Sequence, residues 1–226
     1  MPATVPDRPP GSGHRTRVGQ ERRARTEARI VAAALQVFAE RGTDAPVIDD
    51  FIHAAGVARG TFYNYFTHTE QLLAAVARAL EDDLILAIER EMAGLTAPVE
   101  RLSTGMRLWL RWAEADRQGC GFVVRSRFRG PLVERQLASD LQGGLQAGIL
   151  RGIGADTARD LVVGTILAAM NRMLEQQVPS TYCDEVAAAI LRALGVPPRT
   201  VARLLQAPVA TVRLPRRETT APSSRP

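Results

Sequence analysis

The chain has 226 residues, 46% of them hydrophobic, and a formal net charge of +5. That suits one or two domains with a sizeable core, and the positive balance permits a nucleic-acid partner without establishing one. Charges interrupt every apolar run short of a membrane span, and Pro and Gly stand where a secretory leader needs apolar residues, so a soluble cytoplasmic protein with no membrane partner is expected.

Met1 to about Gly19 is rich in Pro, Gly and Arg with almost nothing to bury, which predicts a disordered basic arm. Arg15, Arg17, Arg22, Arg23 and Arg25 run from it into the first helix. Such an arm can follow a DNA backbone or enter the minor groove; the plain alternative is a solvated tail. All 29 Lys and Arg positions of the chain are Arg; codon bias in a GC-rich genome explains this as well as the suitability of Arg for phosphate and guanine contacts, and because it is chain-wide it marks no particular site. The first helix is predicted from about Arg22 to Arg41, with Ile30, Ala34 and Phe38 in one row, Val31, Leu35 and Ala39 in the next, and Gly42 as its stop.

The stretch Val47 to Phe66, VIDDFIHAAGVARGTFYNYF, reads as two short helices joined by a tight turn. Ile48, Phe51, Ile52 and Ala55 recur three and four apart, which makes one buried stripe. Gly56 supplies the φ > 0 that the turn needs. From Ala58 a second helix turns Val57, Phe62 and Phe66 inward and presents Arg59, Thr61, Tyr63, Asn64 and Tyr65 outward. This is a helix-turn-helix, and its second helix is the natural reader of a major groove. At its entrance Pro46 suits a first turn, Ala45 is a poor cap, and Asp44 is expected to cap.

Thr67-His68-Thr69-Glu70 reads as a capping box opening a fourth helix, carried to about Met92 by the ladder Leu72, Val76, Leu80, Leu84 and Ile88. Pro98 to Ala115 turns Leu102, Met106, Trp109, Leu110 and Ala113 inward; Gly119 to Phe128 is short and ambiguous; Pro131 to Leu150 is a further helix. Asp156 to about Gln177 is apolar nearly all round from Leu161 to Met173, so it must be covered on several sides. Thr181 to Leu194 ends at Gly195, Arg199 to Gln206 forms a last short helix, and from Pro208 a disordered tail is expected.

AAGVARGTFYNYF followed by EQLL resembles the signature of the TetR (tetracycline-repressor-like) transcription regulators, over roughly Arg25 to Leu80. Gly56-Val57, Arg59-Gly60-Thr61, Phe62-Tyr63 and Tyr65-Phe66 carry the resemblance; the rest of the chain is similar only in length and helical pattern. The resemblance implies an all-α chain. An N-terminal three-helix helix-turn-helix DNA-binding domain (residues 20–68, motif about 47–66) is joined by a long helix, a lever, to a C-terminal helical ligand-binding and dimerisation domain (69–207). The basic arm (1–19) and the tail (208–226) flank them.

Placed on matching positions, the resemblance assigns DNA contact to Arg59, Gly60, Thr61, Tyr63, Asn64, Tyr65, Thr69 and Arg29. Arg59 is the candidate for a bidentate guanine contact, worth about 1–3 kcal/mol of discrimination. Gly60 lets the backbone approach, Thr61 meets a thymine methyl or a phosphate, and Tyr63 and Tyr65 set register on phosphates. Two departures weaken the set. Pro46-Val47 replaces the family's usual Thr pair, and Thr69 stands near the usual phosphate-binding Lys, bringing no charge. The plain alternative is a solvated helix face with two aromatics in the core.

The regulatory half is implied to hold an effector pocket and a dimer seam. Met106, Trp109, Trp112, Phe122 and Phe128 are candidate lining residues, with Arg125 and Arg127 as anion partners; a hydrophobic core explains most of them equally well. Leu161, Thr165, Ala169 and Met173 with Val186, Ile190 and Leu194 are the candidate seam of a four-helix bundle between two subunits, against burial within one. His14, His53 and His68 make no metal-ligand spacing, and no nucleophile–base arrangement or phosphate loop is present, so no metal, cofactor or enzymatic activity is expected. Cys120 and Cys183 form no disulfide framework, and Cys120 reads as a small buried hydrophobe rather than a redox sensor. The expectation is a homodimeric repressor of double-stranded, palindromic operator DNA, released by a small-molecule effector. The rivals are a helical small-molecule-binding protein with weak or lost DNA binding, and an all-helical enzyme.

Overall fold

The computed structural model describes residues 12–41, 46–126 and 130–214. Among these the chain forms ten helices and no strand. They are α1 (Ser12–Arg41), α2 (Ile48–Ala55), α3 (Arg59–Tyr63), α4 (Thr69–Glu91), α5 (Pro98–Ala115), α6 (Arg117–Ser126), α7 (Pro131–Gln146), α8 (Ala155–Glu175), α9 (Tyr182–Ala193) and α10 (Pro198–Gln206). Two compact units result, one ending at Leu72 and one beginning at Leu73.

In the first unit, α1 lies against α2. Ile30, Ala34 and Phe38 are buried as one row; its buried flank is Ala33 and Val37 as much as Val31, and Leu35 is only half-buried. The Phe38 and Phe51 rings meet at 4.9 Å, and Phe62 of α3 and Phe66, which follows it, at 6.0 Å; all four are buried. Gly56 sits at φ 58°, with its N–H on the His53 carbonyl (3.1 Å) and the Val57 N–H on that of Ile52 (3.3 Å). This two-bond left-handed stop ends α2 and aims α3, and only glycine takes it without strain.

Several local expectations are corrected. α1 begins at Ser12, so residues 12–19 of the expected arm are helical; the arm's prolines all precede residue 11, Gly13 and Gly19 are the glycines that fall within 12–19, and Arg17 pairs with Glu21 one turn on at 3.3 Å. The cap of α2 is Val47, whose N–H donates to Asp50 Oδ2 at 3.0 Å, while Asp50 Oδ1 accepts from Arg41 at 2.6 Å. Val47 offers no hydroxyl, so one carboxylate three residues on does the capping. Asp44 and Gly42 lie outside the described residues. At α4, Gln71 rather than Glu70 closes the cap, accepting from Thr67 N at 2.9 Å and Thr67 Oγ1 at 3.0 Å.

In the second unit α5 is central, touching α6, α7, α8, α9 and α10. Leu108, Leu110 and Trp112 are fully buried there, and so is a charge, Arg107, 2% exposed. Arg107 donates from Nε to Asp184 (2.7 Å) and from its terminal nitrogens to the carbonyls of Ala207 (2.8 Å), Leu205 (3.3 Å) and Leu204 (3.4 Å). Arg111 adds the Val209 carbonyl at 2.7 Å. These bonds fasten the end of α10 and the extended residues beyond it, with Val209 and Val212 buried. Residues 208–214 of the expected disordered tail are therefore part of the fold. Their sequence shows no period because they form no regular element.

α7 stops at Gln146, four residues short of the expectation, where Gly148 turns at φ 64°. Gly195 (φ 82°) ends α9, and a Cβ there would stand 2.6 Å from the Arg151 carbonyl oxygen, so conformation and space both demand glycine.

Candidate nucleic-acid interface and effector cavity

On α1, Gly19, Arg22, Arg23, Thr26 and Arg29 fall three or four apart on one face. That face and Thr61, Asn64 and Tyr65 line a single open polar groove. The guanidinium of Arg23 lies over the Tyr65 ring, 5.4 Å from its centroid, and donates to the Asn64 carbonyl at 3.4 Å. Both interactions tie α1 to the end of the reading helix. Of the sequence-derived residues, Arg29, Thr61, Asn64 and Tyr65 meet here, and Arg22, Arg23 and Thr26 join them. Arg22 and Arg23 already stood in the basic run that enters α1, and Thr26 shares their helical spacing.

Arg59, Gly60 and Tyr63 are exposed on α3, outside the groove. The Arg59 guanidinium pairs with Asp49 on α2, both side chains about three-fifths exposed. Such an exposed pair is worth about 1 kcal/mol or less, so it holds the arginine without committing it. Around Gly60 nothing lies within 4 Å of where a Cβ would be. Thr69 is half-buried in the first turn of α4. The Asp50 carboxyl, which sets the α2 start, is held below the usual carboxylate range first by the Val47 N–H and, against desolvation, also by the charge and hydrogen bond of Arg41.

The second unit holds a half-open cavity of about 110 Å³ between α4, α5, α6, α7 and α8. Its wall is overwhelmingly apolar, with Ile88, Met106, Trp109, Leu137, Ile166 and Met170 prominent; Glu81, Arg101, Gln136 and Asp140 supply the polar groups. Arg101 Nη2 donates to both Glu89 oxygens at 2.8 Å, Nε to Asp140 Oδ1 at 2.9 Å, and Nη1 to the Leu95 carbonyl at 3.4 Å. Glu81, 1% exposed, accepts from the Gly130 N–H. Burial pushes the Asp140 carboxyl above the usual range, and Arg101 offsets part of that.

Met106 and Trp109 line this cavity. Trp112 and Phe122 are buried but are not in its wall; Trp112 backs it, its ring 6.1 Å from that of Trp109. Arg125 is exposed near the end of α6, away from the wall, and Arg127 and Phe128 lie outside the described residues. The polar residues went unnoticed in the sequence because Glu89, Arg101 and Asp140 come from three helices.

The candidate dimer residues divide. Leu161 and Thr165 are half-exposed on α8, whereas Ala169, Met173, Val186, Ile190 and Leu194 are buried within the subunit. α8 touches α5, α6, α7 and α9, and one of its apolar faces is the cavity wall. Its all-round apolar character therefore has intramolecular causes. Gly164 and Ala168 of α8 and Ala189 and Arg192 of α9 are among the outward positions.

Among the described residues no group of His, Cys, Asp and Glu could hold a metal ion, and no helix is long and apolar enough to cross a membrane. Burial pushes the Cys120 thiol up to about 11 and that of Cys183 to about 12, Glu114 adding to the latter. Neither carries the thiolate that redox sensing needs.

Residues 30–76 match the profile of bacterial regulatory proteins of the tetR family, and residues 97–205 that of the tetracyclin repressor-like C-terminal domain. The transcriptional activator FasR of Mycolicibacterium smegmatis is 24% identical over 151 residues, 63% of this chain and 68% of FasR. The transcriptional repressor KstR2 of the same organism is 30% identical over 74 residues, 33% of this chain and 36% of KstR2. Among solved structures, RolR in complex with resorcinol superposes with a TM-score of 0.68 at 28% identity, covering 86% of this chain and all of RolR. The helix-turn-helix and the helical C-terminal unit are thus matched separately and in order: the chain is a DNA-binding transcriptional regulator and belongs to the TetR family.

Proposed function

We propose that the protein is a homodimeric repressor that binds a palindromic operator and is released by a small molecule entering the second-unit cavity. The observation that carries the DNA half is the groove in which Arg22, Arg23, Thr26 and Arg29 of α1 meet Thr61, Asn64 and Tyr65. Arginines on one face beside a reading helix neutralise phosphates, while Gly60 and Arg59, the latter held only by its exposed pair with Asp49, face base edges. One reading unit makes few contacts; two, about 34–36 Å apart, double them. The outward positions of α8 and α9, with Leu161 and Thr165, are the surface we assign to pairing.

The effector half rests on the cavity. α4 contributes Ile85, Ile88 and Met92 to its wall and follows the reading helix directly in the chain, which makes it the segment we assign to carrying a change at the ligand towards the DNA-reading unit. A ligand releases DNA only if it favours a dimer spacing that does not fit the groove. RolR, similar over its whole length, holds resorcinol, which makes a small aromatic a reasonable occupant here.

The test is fluorescence anisotropy on the DNA upstream of the gene, with random competitor and a salt series that counts phosphates. Preference for that fragment, a dimeric stoichiometry and a slope reduced by about one in Arg29→Ala support the proposal. A monomer, or no preference over competitor, sinks it. Val47 at the α2 entrance and the Asp49–Arg59 pair favour a second reading, a ligand-binding protein with weak DNA affinity, and the same titration decides between them.

A further inference from the structure

We propose that Asp49 is a positioning residue for base reading: its carboxylate holds the Arg59 guanidinium, cancels its charge towards phosphate and leaves it one two-donor edge for guanine. The pair then supplies sequence preference, and the arginines of α1 supply affinity. This rests on Arg59 facing base edges, and it adds the residue that fixes how Arg59 does so.

Arg59 Nη2 donates to Asp49 Oδ1 at 2.5 Å. A guanidinium carries five N–H groups in a rigid fork, and Nη2 belongs to two edges of it, one shared with Nε and one with Nη1. One Nη2 N–H spent on the carboxylate leaves the other edge whole. Two donors on one edge are what guanine O6 and N7 take. An exposed arginine otherwise samples many rotamers, and a carboxylate at its tip removes most of them before the base arrives.

The start of α2 does not depend on Asp49. Asp50 caps it, with Oδ2 accepting from the Val47 N–H at 3.0 Å and Oδ1 from Arg41 at 2.6 Å. Asp49 is 62% exposed and reaches across to the neighbouring helix instead. A bare carboxylate on a surface that meets phosphates repels them, so its place there makes sense through the arginine it holds.

The cations of this surface divide accordingly. Arg22, Arg23 and Arg29 are exposed on α1, and among the described residues none of them is paired with a carboxylate; Arg23 meets the Tyr65 ring and the Asn64 carbonyl. Their charges are available to phosphate. The Arg59 charge is cancelled where it stands, so the pair displaces no counterion and adds nothing to the salt-dependent part of binding. At a wrong base it gains no phosphate contact in compensation, which penalises the mismatch.

The test uses the full-length protein with Asp49→Asn, Asp49→Glu, Arg59→Ala and the double variant. A preferred duplex is selected from a randomised duplex library with the unaltered chain. Its single-base-pair variants and a random-sequence duplex are then titrated by anisotropy across a salt series. Asp49→Asn should bind the random duplex more tightly, with a log–log salt slope steeper by about 0.9 per reading unit, because the released Arg59 finds a phosphate. Its preference for G·C at one position should fall by about fivefold or more, the lower end of what a bidentate arginine contributes. Asp49→Glu keeps a carboxylate and should restore part of that preference. The double variant should lose no more preference than Arg59→Ala alone, because Asp49 acts through that arginine.

Unchanged base preference in Asp49→Asn overturns the inference, whether or not affinity rises: with higher affinity Asp49 is a competitor that DNA displaces, and with a lower Tm it serves only the helix. An additional loss of preference in the double variant overturns it too. Arg59→Ala that keeps every base preference overturns instead the base-reading role on which the inference stands. A selection that enriches no sequence overturns the operator reading, and the inference with it.

Discussion

Replacing Gly60 by alanine separates what the fold requires from what DNA requires. Gly60 is the second residue of α3, in ordinary helical conformation, and a Cβ built there meets no atom within 4 Å. The fold gains nothing from glycine at that position. Alanine lowers the entropy of the unfolded chain and has the better helical propensity, together worth about 0.4–1 kcal/mol. α3 is short and the site exposed, so the lower half of that range applies, roughly 0.5 kcal/mol, or a Tm rise of about 1–2 °C for a chain of this size. At a DNA surface the sign reverses. A methyl group standing on the backbone holds the reading helix away from the base edges, and a tenfold loss of affinity corresponds to about 1.4 kcal/mol. Calorimetric unfolding and anisotropy titration at one fixed salt concentration read the two quantities independently. A higher Tm with unchanged operator affinity would refute the assignment of Gly60 to close approach. A lower Tm would show that the space around it is not open.

The other expectations concern stability and accessibility. Arg107→Met leaves three carbonyls without that donor and Asp184 with only its longer Arg111 contact (3.6 Å), and should cost about 3 kcal/mol in denaturant unfolding, the low end for a broken buried pair because Asp184 is one-third exposed; a loss under 1 kcal/mol would mean that the Arg111–Val209 bond and the buried Val209 and Val212 suffice to hold the C-terminal segment. Cys120 and Cys183, with thiols raised to about 11 and 12, should resist an aromatic disulfide reagent at pH 8 in the native protein and react after unfolding in guanidinium; rapid native labelling contradicts their burial. Asp50 has a depressed carboxyl, so its stabilisation is complete above its ordinary value of 3.8 and fades as the pH falls through its lower folded value. The Tm gap between the protein and Asp50→Asn should accordingly shrink from about pH 5 towards pH 3, and a gap that widens instead would show the sign to be wrong.

Much of the DNA-reading unit was written locally. The turn at Gly56, the inward Phe62 and Phe66 and the outward Arg59, Gly60 and Tyr63 depend on neighbours within one or two turns, and short-range spacing suffices to place them. The α1 contribution was partly legible, because Arg22, Thr26 and Arg29 share a helical face. Their meeting with Asn64 and Tyr65 needed the packing of α1 on the rest of the unit, which brings together residues about 40 apart.

The amino-acid order alone determined the all-helical class, the turn that aims α3 and the residues it presents, since each follows from periodicity and from what glycine permits. Tertiary structure alone decided three things: that Arg101 is paired with Glu89 and Asp140, that Arg107 holds residues about 100 positions later in the chain, and that Met170 faces a cavity while Met173, one turn on in the same helix, is buried outside its wall. Periodicity tells a helix which side is apolar. It does not say whether that side meets another helix, a second subunit or an empty space, because that depends on which distant segments the chain brings back against it.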